Sequence, residues 1–167
     1  MIIGIVGSDD RAQAIGRLLS NGGHRVTFGD PNAKESASRA AAAVGAQTDL
    51  PYHQAMKSDL LILAVPHEQV DRAVGAVGSG ADAVIVDAVE GERGTPSRSG
   101  AEQLARKLDS HRVVRALINM PQAGSNIQIC GDDTLSKTLL DKALHSCGCI
   151  TTDRGPLSSA TELEAPA

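Results

Sequence analysis

Aromatic residues are almost missing from this chain of 167 residues, which has one Phe, one Tyr and no Trp. Few rings leave few platforms on which bases or sugars stack. The core must instead be filled by Val, Ile, Leu and Ala, the composition of a parallel sheet covered by Ala-rich helices. Basic runs are missing as well. The balance of 16 Lys and Arg against 20 Asp and Glu gives a net charge of −4, without the clustered cations that a non-specific nucleic-acid binder needs. No apolar stretch approaches the roughly 20 residues that span a bilayer. A strand pattern begins at the first residues, so neither a signal peptide nor a membrane partner is expected. Cysteine is scarce. Cys130, Cys147 and Cys149 make an odd set without zinc spacing, so no disulfide framework and no metal site are expected, and a reducing cytoplasm is the expected location. Cys147-Gly148-Cys149 is too tight for an ordinary redox pair and reads as structural thiols.

What is present suits one packed domain over residues 1–167. The mass is 17.2 kDa, with 41% hydrophobic and 22% charged residues, enough apolar material for a single core. Met1 to Gly7 is a continuous β-branched run of the kind buried on both faces. Residues 11–21 carry Ala12, Ile15, Leu18 and Leu19 at helical spacing, closed by Asn21-Gly22-Gly23. Strands follow over Arg25–Phe28, Leu60–Val65, Ala83–Val86, Arg112–Leu117, Ile127–Cys130 and Cys149–Thr152. Helices are expected over Ala33–Val44, His67–Val77, Ala101–Leu108 and Leu135–His145. Pro156 to Ala167 carries little apolar periodicity and is expected on the surface. Strands alternate with helices throughout, which predicts an α/β fold: a doubly wound, mainly parallel, Rossmann-like sheet in three layers.

In such a fold the turn after the first strand receives a pyrophosphate on the helix N-terminus, through a Gly-x-Gly-x-x-Gly/Ala fingerprint. This chain has Gly7-Ser8-Asp9-Asp10-Arg11-Ala12 there. Gly7 and Ala12 meet the pattern, but Asp9 replaces the middle glycine. A carboxylate in that position adds bulk and sets like charges together, at a cost of about 1 kcal/mol in water at ~4 Å and more when partly buried. Arg11 offsets part of that charge or itself holds a phosphate. Asp9 and Asp10 equally suit capping of the following helix. Asp30 lies 23 residues after Gly7, near the place where an acid bonds the adenosine ribose and favours NAD over NADP. Gly29-Asp30-Pro31-Asn32 is also good turn chemistry.

The segments Ile3 to Gly7, Gly22 to Thr27, Asp59 to Pro66, Val84 to Ala88, Val113 to Ala116, Pro121, Cys130-Gly131-Asp132-Asp133 and Asp153-Arg154-Gly155-Pro156-Leu157 through Leu163-Glu164 occur in order. On these residues the chain resembles the NADP-dependent oxidoreductases that act on the deazaflavin coenzyme F-420. The resemblance implies a Rossmann fold that binds NADP along the first turn, with a deazaflavin beside the nicotinamide for direct hydride transfer. Carried over by position, it implies Gly7, Ser8, Asp9, Arg11 and Ala12 at the pyrophosphate. Asp30 and Pro31 stand where the family has a Ser-Arg pair for the 2′-phosphate. Val65, Pro66, His67, Ala88 and Val89 would border the ribose and nicotinamide, and Asn119, Met120 and Pro121 would face the second substrate. Relatives have an aromatic at the position of His67. They also continue beyond the position of Ala167 through a helix that helps enclose the deazaflavin and often forms a dimer, so a homodimer is among the expected assemblies.

Two functions are therefore expected in competition. The first is an oxidoreductase moving hydride between a nicotinamide dinucleotide (NAD ahead of NADP, given Asp30) and a deazaflavin or other small molecule. The alternative is a degenerate Rossmann protein that no longer uses NAD(P), acting as a non-redox enzyme of proton transfer, isomerisation or cyclisation, or as a binding partner. His67, at the carboxyl end of a strand, is the candidate catalytic acid or base. Asp87 and Glu90, at the end of the next strand, are expected near it. The long loop over residues 90–99 brings Arg93, Ser97, Arg98 and Ser99 beside the same crevice, and Asp132-Asp133 reads as a helix cap.

Overall fold

The computed structural model describes residues 1–31, 34–48, 57–78, 82–90, 94–95, 98–117 and 119–164. Eight strands form one sheet: β1 (Ile2–Val6), β2 (Arg25–Gly29), β3 (Gln47–Thr48), β4 (Leu60–Leu63), β5 (Val84–Asp87), β6 (Val113–Arg115), β7 (Asn126–Gly131) and β8 (Ile150–Asp153). Their spatial order is β3-β2-β1-β4-β5-β6-β7-β8. The strands β1 to β6 are parallel. β7 turns back antiparallel to β6, and β8 follows it in parallel. The order reverses between β1 and β4, so the crevice for a ligand opens at the carboxyl ends of these two strands.

The helices are α1 (Asp10–Asn21), α2 (Lys34–Val44), α3 (Val70–Val77), α4 (Gly100–Lys107), α5 (Thr134–Ser146) and α6 (Ala160–Glu164). Alternate residues along each strand face opposite layers. Leu60 and Ile62 meet Ile15 and Leu19 of α1, Ala40 of α2 and Leu140 of α5. Leu61 and Leu63 meet Ala73 of α3, Leu104 of α4 and Leu157. This is the three-layer, doubly wound α/β fold that the strand and helix spacing predicts.

Several boundaries differ from expectation, each for a local reason. The segment expected to be one helix from His67 starts as a 3-10 turn (His67–Gln69) before α3. β6 stops at Arg115 because Leu117 takes a left-handed conformation (φ 58°), which turns the chain away. The two-residue β3 is polar and carries no alternation to read. The last segment is not a surface tail: Leu157–Ser159 forms a 3-10 turn leading into α6, and Leu157 and Ala160 are buried in the second core. The residues expected to start α2 at Ala33 lie outside the described residues.

Candidate functional site

Gly7 stands where β1, β2 and β4 converge. Its amide donates to the Gly29 carbonyl at 2.9 Å, its φ is +132°, and a Cβ added there would lie 2.0 Å from the Ala64 carbonyl oxygen. No side chain fits at the switch point. After it, Asp9 caps α1: its carboxylate accepts the Ala12 amide at 2.7 Å. The amides of Asp10 and Arg11 have no acceptor among the described residues, as the first amides of a helix have none within it. Ser8 donates its hydroxyl to Asp30 Oδ2 at 2.7 Å, which holds the end of β2 against the first turn. Gln13 Nε2 donates to the Ser8 carbonyl at 3.2 Å.

Arg11 points inward from this turn and is only 7% exposed. Its Nη1 donates to the carbonyl of Ala88, one residue past the end of β5. Its Nε and Nη2 are buried without a hydrogen-bond partner, and no carboxylate forms an ion pair with it among the described residues. Burial pulls this guanidinium below the ordinary arginine range, opposed by the carboxylates of Asp9 and Glu90; it stays charged. A cation desolvated for so little return is the mark of a binding site rather than of stability.

The turn over Asp87–Val89 is gripped from a second side. Arg115, fully buried, donates to the carbonyls of Val89 (2.8 Å) and Asp87 (3.3 Å) and pairs with Asp87 Oδ1 at 3.2 Å, both side chains being inaccessible. Asp87 Oδ1 also accepts the Val89 amide at 3.2 Å. Asp87 is thus committed to a sealed ion pair and does not join His67. The sequence reading overlooked Arg115. Its signal was one charge inside the apolar run Val113-Val114-Arg115-Ala116-Leu117.

His67 is exposed at the start of the 3-10 turn. It lines a cleft of about 520 Å³ between α3 and α4, with Glu68, Asp71, Gln103 and Lys107. The backbone of Glu90 runs beside Pro66. Val65, Ala88 and Val89 are buried and form the wall behind the crevice. Asn119 and Met120 are exposed, while Pro121 lines a separate groove along α1 with Arg17, Leu18, Asn21 and Cys147. Ser99 caps α4 in a reciprocal box with Glu102 (3.1 and 2.8 Å), and Arg98 bridges back to Thr95. Arg93, Ser97 and Ile118 lie outside the described residues. The three cysteines are free and buried, and burial pushes the thiols of Cys147 and Cys149 up. Among the described residues no helix is long and apolar enough to cross a membrane.

The fold is shared with a hypothetical protein of Sinorhizobium meliloti (TM-score 0.83, 17% identity, 98% of this chain and 89% of that one). It is also shared with a protein of Arthrobacter sp. FB24 described provisionally as an F420-dependent NADP reductase (TM-score 0.78, 21% identity, 97% and 88%). The metalloreductase STEAP3 of Rattus norvegicus is 28% identical over 175 aligned residues, which take in 98% of this chain. The chain spans only 36% of that protein's length. Residues 2–91, which carry the Gly7 turn, Arg11, Asp30 and the Asp87–Val89 turn, match the family model described as NADP oxidoreductase, coenzyme F420-dependent. With its first turn, switch point and crevice wall all inside that match, the chain belongs to this family of NAD(P)-linked oxidoreductases.

Proposed function

We propose that the crevice at β1 and β4 binds a nicotinamide dinucleotide, and that the chain moves hydride between it and a small second substrate. The observation that carries this reading is Arg11, a buried guanidinium with two N–H groups lacking an acceptor, set beside the open amides at the start of α1. Bound there, the dinucleotide supplies or accepts the hydride. The chain's own part is to bind and orient. Gly7 lets the first turn pack closely, the α1 amides and Arg11 meet the anion, and Val65, Pro66, Ala88 and Val89 exclude water from one side. A deazaflavin exchanges hydride without a protein acid. With an imine or carbonyl substrate a proton is needed as well, and the His67 imidazole is our candidate donor.

Asp30 bears on which dinucleotide is used. The family is described by NADP, yet a carboxylate at the end of β2 repels a 2′-phosphate and suits a free ribose hydroxyl, which points to NAD. Calorimetric titration with NADH and with NADPH tests the whole reading. Saturable micromolar binding of either supports it, and the tighter of the two identifies the coenzyme.

A second reading is favoured by one specific contact. The Asp9 carboxylate already takes the Ala12 amide, a donor that an incoming pyrophosphate would use, as in a protein that has given up the dinucleotide. No binding to the wild type, with binding regained in Asp9→Gly, would select this non-redox alternative.

A further inference from the structure

The position of Arg11 carries a consequence for the redox state of the ligand, and it rests on the dinucleotide reading above. A doubly wound sheet receives a dinucleotide across its switch point, with the adenosine half over β1, β2 and β3, where the ribose acid stands. The nicotinamide half then falls over β4 and β5. Arg11 starts on α1 but reaches to Ala88, beyond the end of β5, so its guanidinium lies on the nicotinamide side of the crevice and not over the adenosine.

We infer that Arg11 makes this chain hold the reduced dinucleotide more tightly than the oxidised one. The oxidised nicotinamide ring is a cation and the reduced ring is neutral, while the rest of the two molecules is alike. A fixed positive charge beside the ring therefore acts on one redox state alone. Neutralisation of Arg11 within the protein is incomplete. Asp87 is occupied by Arg115, Asp9 by the α1 cap, and Glu90 is exposed to solvent. Like charges in a partly buried site repel strongly enough to weaken the oxidised form by roughly tenfold. Nε and Nη2 also offer donors to a neutral carbonyl oxygen, which the reduced ring's carboxamide supplies without that repulsion. Tenfold tighter binding of the reduced form raises the potential of the bound couple by about 30 mV. On the protein, hydride transfer onto the nicotinamide thus becomes more favourable than in solution.

The test is equilibrium binding by calorimetry, with no turnover involved. NADH, NAD+, NADPH and NADP+ are titrated into the full chain, into Arg11→Met and into Arg11→Lys, with thermal melts confirming that each variant is folded. The expected result is a preference for the reduced form in the wild type. That preference should be kept in Arg11→Lys and collapse to within about threefold in Arg11→Met, mostly through a gain by the oxidised form. Equal binding of both redox states to the wild type overturns the inference while leaving the dinucleotide reading intact. So does an unchanged ratio in Arg11→Met. Absence of binding by all four ligands overturns the dinucleotide reading itself and the inference with it.

Discussion

Asp9 and Arg11 bring opposite charges onto one turn of α1, and each has a measurable consequence. Asp9 serves the helix through the Ala12 amide, but glycine at an N-cap costs only roughly a few tenths of a kcal/mol relative to such a residue. Asp9→Gly should therefore leave the melting temperature nearly unchanged. In the same variant dinucleotide binding should tighten by about tenfold, since a negative charge has gone from beside a pyrophosphate; calorimetry and a thermal melt on one sample check both halves. The Arg115–Asp87 pair behaves differently because it is sealed. Arg115→Met leaves a lone buried carboxylate and should lower unfolding stability by about 3–5 kcal/mol. The double variant Arg115→Met with Asp87→Leu should recover much of that loss. Urea denaturation of the two single variants and the double variant measures the coupling.

At the scale of elements, the ends of helices do much of the specification. α5 is capped by Asp133, whose carboxylate accepts both the hydroxyl and the amide (2.9 Å) of Ser136, and these bonds hold its pKa below the usual carboxylate range. A depressed folded-state pKa contributes stability that is complete above the ordinary carboxylate range and is lost as pH falls through the folded value. Asp133→Ala should thus be less stable than the wild type at neutral pH, and the two should converge in acid below about pH 3. Thermal melts across that range test the sign. Most elements were legible because their signals are local: Leu60 to Leu63 can only be a buried strand, and Ile15, Leu18 and Leu19 fall on one helical face. Capping by Asp9 and Asp133 was legible for the same reason. The breaks came where distant contacts decide. Arg115 looked out of place until Asp87 appeared opposite it. His67 and Asp87, adjacent in expectation, face different surroundings because one side chain points to solvent and the other into the sheet.

The whole molecule is closed by contacts between two segments that the sequence shows only as separate motifs. Gly131 donates its amide to the Gly155 carbonyl at 3.0 Å, and the Leu157 amide donates to Asp132 Oδ1 at 2.9 Å. Asp132 and Asp133, which read as one capping pair, divide the work: one begins α5, and the other fastens the turn that buries Leu157. Leu157 then fills the second core together with Leu104 and Cys130. Leu157→Ala should cost about 2–5 kcal/mol and shift the urea midpoint with little change in slope.

That clasp also sets when folding can finish. The strands of the dinucleotide half are made first and find their partners nearby. The layer containing α3 and α4 lacks part of its filling until Leu157 and Ala160 arrive. On the ribosome, one side of the sheet stays uncovered until nearly all of these residues have left the exit tunnel.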